Sequence, residues 1–430
     1  MGKIRYNSRK MKGFSATLIE ENDGHVLSVD HRGKKEYTYK NRCGTLERSF
    51  DGQWKNRSRE CHSLPAAANT MRKARGLKGR KGNDDALSFQ AGSVVRENAL
   101  VLNRLQQRNI PYWKVIFRAN SQKRIIIDQT GHEFRNHFLH YSILVQLQLN
   151  GRLIEIGEGN TKGNVFNQDG LCARIDSLLN NHKEARDLTI SGKIPVILNQ
   201  GSGAILFHEI LGHSLEADHI AHGESPITLQ EMNKKIASPA VTLHTNHSGD
   251  TYFSSIVSDD EGNANPPHLL VEQGILRQII SDTFHSRLMG IQTTGNARTA
   301  DFMFNPLPRM YGIYLAPGTH SPEECVASTK YGVYAKEFGE GKVFFNKDLF
   351  FFHINEAYLI ENGTLTRPLG SVIVRGGIRE ALNSVTMAAD DFSFDRGISY
   401  CFKKGQVVNV RVGQPTIKIE NLQVCQERHD

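Results

Sequence analysis

Apolar positions in this chain alternate more often than they recur at helical spacing. Four stretches place two apolar runs around a short turn pair: ATLIEENDGHVLSVD at Asp23-Gly24, ILVQLQLNGRLIEI at Asn150-Gly151, HLLVEQGILRQII at Gln273-Gly274 and EAYLIENGTLTRP at Asn362-Gly363. Turn pairs of this kind between alternating runs predict antiparallel hairpins. FLHYSILVQLQLNG sets Tyr141, Ile143, Val145, Leu147 and Leu149 on one strand face, whereas KIPVILNQ, from Lys193, reads as a strand buried on both faces.

Helical spacing is rarer. It occurs in SVVRENALVLNRLQQRN from Ser93, in GLCARIDSLLNNHKEARDL from Gly170 and around His208, and a further helix is expected near Pro65. SPEECVAST adds one with a complete start signal: Ser321 caps, Pro322 fits the first turn and Glu324 closes a capping box. The mixture predicts an α+β protein. A boundary is placed near Ser191, where the loop ISGK separates the Gly170 helix from the Lys193 strand, and no repeat of solenoid or propeller period is present.

Length and composition narrow the class without naming a chemistry. A chain of 430 residues with 39% apolar and 8% aromatic residues is an ordinary globular protein of two or three cores. No run of eighteen apolar residues occurs, and MGKIRYNSRK is followed by no hydrophobic region, so neither a membrane span nor a secretory signal is expected and the cytoplasm is the expected location. Six cysteines, Cys43, Cys61, Cys172, Cys325, Cys401 and Cys425, form no C-x-x-C pair and read as reduced thiols. The net charge of +8 is uneven, with 19 Lys and Arg against 8 Asp and Glu in the first 80 residues. Its densest run, MRKARGLKGRKG from Met71, has no aromatic or motif partner and reads as a solvated face, so nucleic acid is not an expected partner.

The chemistry concentrates in GSGAILFHEILGHSLEADH, which carries His208, Glu209 and His213. Zinc peptidases commonly place two histidines four apart, on one helix face. Here they are five apart, which on a regular helix leaves them roughly 140° apart around the axis. A π-type turn holding one extra residue restores a common face, and such turns favour functional sites. Gly212 is expected to ease that distortion and to leave room for a metal against the backbone. A second copy, HEFRNH from His132 to His137, lies on a turn and strand, where an odd spacing sends the two rings to opposite faces, and it reads as coincidence. If FHEILGH holds a metal, His208 and His213 are neutral ligands and Glu209 is the general base and acid for water attacking a carbonyl. Otherwise it is a buried helix with internally bonded histidines. A third ligand is required, and Glu216, Asp218, His219 and the six cysteines all remain open by spacing alone.

LFHEILGHSLEAD resembles the signature helix of the TldD/PmbA family of metallopeptidases, on its catalytic, TldD-like side. VSDDEGN, LVEQGILRQIISDTFHSRLMG, TTGNART, PLPRM, YGVYAKEFGEGKVFF, EAYLIENGTLTRP and CFKKGQVVNVRVGQPTIKIENL resemble family blocks in the same order, from about Lys193 to Leu422. The resemblance implies that Cys401 is the third ligand and that the cofactor is Zn²⁺. It also implies a peptidase that degrades extended or unfolded peptides or trims leaders from modified precursors, working with a homologous TldE/PmbA-like subunit or as a homodimer. The combined expectation is a sheet-and-helix domain over 1–190 and a β-rich, barrel-like antiparallel domain over 191–430 carrying the zinc-binding helix. Two other readings keep parts of this picture: a zinc amidase acting on a non-peptide amide, and a scaffold subunit with a structural zinc. For Arg298 in TTGNART, a surface salt bridge is expected in preference to a grip on a substrate carboxylate or an oxyanion.

Overall fold

In the computed structural model, the described residues are 14–50, 54–61, 63–64, 90–185, 192–245 and 252–426. The expected helix at Pro65, the basic run from Met71 and the boundary at Ser191 lie outside them. The first half is a six-stranded antiparallel sheet in the order β3-β2-β1-β4-β5-β6, comprising β1 (Phe14–Asp30), β2 (Lys35–Phe50), β3 (Trp54–Glu60), β4 (Trp113–Ile127), β5 (Glu133–Leu149) and β6 (Arg152–Asn160). One face of β5 carries Tyr141, Ile143, Val145 and Leu147 into a core closed by helices α1 (Ala91–Glu97), α2 (Ala99–Gln106) and α3 (Gln168–Glu184). The continuous helix expected from Ser93 is split between α1 and α2 at Asn98. Its side-chain amide donates to the carbonyls of Val94 and Asn164, both at 2.9 Å, a local competition that weakens a helix interior.

Three of the four hairpin turns form as expected. Asn150-Gly151, Gln273-Gly274 and Asn362-Gly363 all carry positive φ at both positions, which is the geometry that lets a two-residue turn follow strand twist. Asp23-Gly24 does not turn. It lies inside β1, with Asp23 opposite Asn41 and Gly24 opposite Lys40, in a strand paired with β2 on one side and β4 on the other. Ladder bonds on both edges outweigh a local turn preference.

The second half is built on a closed five-stranded barrel. Lys193–Leu198 pairs in parallel with Tyr331–Phe344; Leu349–Glu361 and Thr364–Gly376 follow as antiparallel neighbours, and Ile417–Gln426 closes the ring. Alternation fills it, with Phe350, Phe352 and Ile354 entering the core from one strand and Val372 and Val374 from the next. A smaller mixed sheet contains His268–Glu272, Leu243–Thr245, Gly312–Leu315 and Arg411–Gln414. The segment from Ala204 to Leu215 packs in the same apolar cluster as the barrel and this sheet, so His208 and His213 stand on a rigid element. None of the described helices is long and apolar enough to cross a membrane.

The halves meet through buried charge. Arg124 on β4 donates to both carboxylate oxygens of Asp260 at 2.8 and 2.7 Å and to the Thr299 carbonyl at 2.9 Å, while Arg48 on β2 donates to Glu261 at 2.6 Å. On the other side, Asn181 and His182 of α3 reach the Ala357 and Asn355 carbonyls of the barrel at 2.8 Å each. One expectation is corrected here: Cys43, midway along β2, faces Cys61, the residue that follows β3, and the two are joined by a disulfide, with Cα atoms 5.2 Å apart. The spacing of 18 residues carried no motif because strand pairing, not sequence proximity, brings them together.

Candidate metal centre

The stretch after the Lys193 strand turns sharply at Gly201, whose φ of +71° suits glycine, and enters a helix at Ala204. That helix becomes a π turn over His208–Gly212 and a short 3₁₀ turn over His213–Leu215. The widened turn holds the extra residue, and the two imidazoles lie edge to face with centroids 4.8 Å apart. Gly212 has ordinary helical angles, φ −55° and ψ −57°, so backbone freedom is not its purpose. A Cβ there would lie 2.4 Å from Met310 Sδ and 2.9 Å from Ile313 Cδ1, which makes close packing against the segment 310–313 the reason for glycine, rather than room for a metal. Gly212→Ala is therefore expected to lower stability by about 1–3 kcal/mol through overpacking, read as a fall in melting temperature; an unchanged melt would show that Met310 gives way freely.

Cys401 comes from a hairpin, Tyr400–Lys403 paired with Gln406–Asn409 and turned at Lys404-Gly405. Strand alternation points Cys401 and Lys403 inward and leaves Phe402 73% exposed between them. Donor atoms of His208, His213 and Cys401 all lie within 4.8 Å of one another, with Cys401 Sγ 3.4 Å from His213 Nε2. His208 and Cys401 are fully buried. Arg309, itself fully buried, donates to the Cys401 carbonyl at 2.5 Å and steadies the hairpin from behind. Glu209 is 26% exposed, at the open side of the cluster, with Oε1 3.9 Å from His208 Nε2.

The donor set fits a soft divalent ion. Both ring nitrogens of His208 are buried with no hydrogen-bond partner, an arrangement that costs free energy unless a ligand takes a lone pair. Burial by itself would raise the Cys401 thiol, but His213 and His208 hold it well below the usual range, which favours the thiolate, the form that binds metal. Two imidazoles and one thiolate suit zinc better than a hard cation.

The remaining sequence candidates for a third ligand are engaged elsewhere. Glu216 Oε2 accepts from His213 Nδ1 at 2.7 Å and from Lys403 Nζ at 2.8 Å. Burial opposes its ionisation, yet His213 and Lys403 bring its pKa down to about 2. Asp218 accepts from Lys403 at 2.6 Å and from Lys404 at 3.1 Å, and His219 pairs with Glu224 at 2.8 Å. His213, Glu216 and His219 also form a compact group, but the Lys403 ammonium already bridges the two carboxylates and takes the place a second cation would need.

The second motif copy is dispersed. His132 is exposed in the turn before β5, His137 pairs with Ser121 at 3.0 Å on the strand, and neither joins a metal-capable group among the described residues. Arg298 corrects an expectation: it is buried, donates to the Met310 and Asn409 carbonyls and lies 3.9 Å from the Tyr311 ring centroid, so it makes no surface salt bridge. Lys403, Glu216 and Arg309 were not singled out as supports. The available signal was position: Lys403 shares the strand face of Cys401, and Glu216 follows His213 by one turn.

Residues 191–426 match the family model described as the PmbA/TldA metallopeptidase C-terminal domain. A metalloprotease TldD homolog of Buchnera aphidicola is 36% identical over 253 residues, 59% of this chain and 51% of that protein. A zinc metalloprotease TldD homolog of Saccharolobus solfataricus is 33% identical over 235 residues, 54% of this chain and 52% of that protein. The match thus spans about half the length of these relatives. In fold, the crystal structure of TldE from Thermococcus kodakarensis superposes with a TM-score of 0.71 over 97% of this chain and 98% of its own, at 14% identity.

Proposed function

This chain belongs to the TldD/PmbA family of metallopeptidases, and from that premise we propose that it is a zinc peptidase whose ion is held by His208, His213 and Cys401 and whose proton-transfer group is Glu209. The observation that carries the reading is His208: two buried, unpartnered ring nitrogens within reach of a second imidazole and a thiolate.

Bound zinc acts as a Lewis acid, acidifying water and polarising a carbonyl. The protein's own part begins with exclusion of bulk water, since three of the four groups are buried and only Glu209 opens outward. The Glu209 carboxylate takes the proton of the attacking water and returns it to the departing amine, so it serves as base and then acid. Glu216 holds the Nδ1 proton of His213 and so leaves Nε2 turned toward Cys401.

Extended or unfolded peptides are the proposed substrates, including the leader of a modified precursor, and the proposed assembly is with a homologous TldE-like subunit or a second copy of this chain. The proposed domains divide near Ser191, giving 1–190 and 191–430. Metal analysis of the purified protein tests the centre. About one zinc per chain is expected, lost in His208→Ala and Cys401→Ser and retained in His132→Ala, with folding checked by circular dichroism. Zinc that follows His132, or no zinc after supplementation, would overturn the assignment.

A further inference from the structure

The two segments that carry the proposed ligands are far apart in sequence, and neither touches the other through a backbone ladder. They are joined by side chains. Glu216 lies one turn beyond His213 and accepts its Nδ1 proton at 2.7 Å; the same oxygen, Oε2, accepts from Lys403 Nζ at 2.8 Å, and Lys403 stands two residues beyond Cys401 on the inward face of its strand. Lys403 also donates to Asp218 at 2.6 Å and to the Pro308 carbonyl at 3.0 Å, which gives its ammonium three acceptors. Both Glu216 and Lys403 are buried.

We propose that Lys403 and Glu216 are positioning residues that clamp the cysteine hairpin to the histidine segment and preset the metal centre before the ion arrives. The proposal rests on the zinc-peptidase reading of the site and adds to it a named device. The geometry favours a clamp over a chance ion pair. A buried lysine is costly unless fully bonded, and this one has three acceptors for its three protons, one of which, Glu216, also holds a proposed ligand. One oxygen of Glu216 receives both His213 and Lys403, so the orientation of one ligand and the placement of the strand bearing another are set by a single atom. Without the Lys403 ammonium, Glu216 and Asp218 would be two buried carboxylates with no cation bridging them, Asp218 keeping only the half-exposed Lys404 at 3.1 Å, and the two would repel.

The test compares wild type, Lys403→Met and Glu216→Gln for zinc affinity by chelator competition, and for the thiolate-to-metal absorption band of the cobalt-substituted protein. Lys403→Met keeps most of the stem and removes the charge; Glu216→Gln keeps an acceptor for His213 and weakens the bridge. Loss of an outer partner of a metal ligand typically weakens affinity by about 10- to 100-fold. That loss is expected for Lys403→Met, with a weaker cobalt–thiolate band and an unchanged far-ultraviolet spectrum, and a smaller loss is expected for Glu216→Gln. Wild-type affinity and an unaltered band in Lys403→Met would overturn the clamp while leaving the centre standing. Absence of metal from the wild type, or a band indifferent to Cys401→Ser, would instead overturn the centre itself. If Lys403→Met does not fold, the charge-neutral triple variant Lys403→Met, Glu216→Gln, Asp218→Asn replaces it: folded with weakened metal, it supports the clamp; unfolded, it shows that these groups serve the fold at large and the clamp is refuted.

Discussion

Glu209→Gln is expected to lower kcat on short unstructured peptides by about 10²- to 10⁴-fold, the range that a positioned general acid and base contributes. Zinc content and melting temperature should stay at wild-type values, because Glu209 is partly exposed and is not one of the three converging donors. Glutamine preserves size and hydrogen bonding but cannot accept a proton at neutral pH, so the deficit should lie in turnover more than in KM. The assay is product analysis by mass spectrometry over a peptide panel, with and without a homologous partner subunit. Unimpaired hydrolysis would remove Glu209 from the mechanism; loss of zinc and fold together would make it a structural residue.

The second large effect concerns stability rather than turnover. Arg124→Met should destabilise the protein by about 3–5 kcal/mol, since removing one member of a buried pair strands the other charge. Arg124 and Asp260 are both almost wholly buried, and the same guanidinium also bonds the Thr299 carbonyl. The variant tests more than one ion pair, because Asp260 and Thr299 belong to the half that carries the candidate metal centre while Arg124 belongs to the N-terminal sheet. Chemical denaturation should show the midpoint falling, and Arg124→Met with Asp260→Asn should recover part of the loss, as coupled partners do in a double-mutant cycle. A loss below about 1 kcal/mol would put the pair on the footing of a surface contact.

Local patterns proved legible wherever one rule acted alone. Three asparagine- or glutamine-glycine pairs turn, the Ser321–Glu324 capping box forms, and the five-residue spacing of the histidines is met by a π turn. The misreadings share a cause, which is partners distant in sequence. Asp23-Gly24 is held straight by strands on both sides, Cys43 meets Cys61 through pairing of β2 with β3, and Arg298 is drawn inward by the Tyr311 ring and two carbonyls. Gly212 was singled out correctly but for another reason, since Met310 and Ile313, which crowd it, lie about a hundred residues on. Within the centre, the histidines and Glu209 announce themselves by spacing. Cys401, in contrast, arrives from 188 residues beyond His213 and was indicated by family resemblance alone.

The π turn also confines the extra residue to itself. Removing one residue between Glu209 and His213 would write the commoner H-E-x-x-H spacing and let a regular helix face both imidazoles the same way. Because the widened turn absorbs that residue, closing it leaves the chain beyond His213 in the same phase, with Glu216 and Asp218 still opposite Lys403. The longer and the shorter spacing are therefore one local insertion apart, and the hairpin across the site is indifferent to which of them the helix carries.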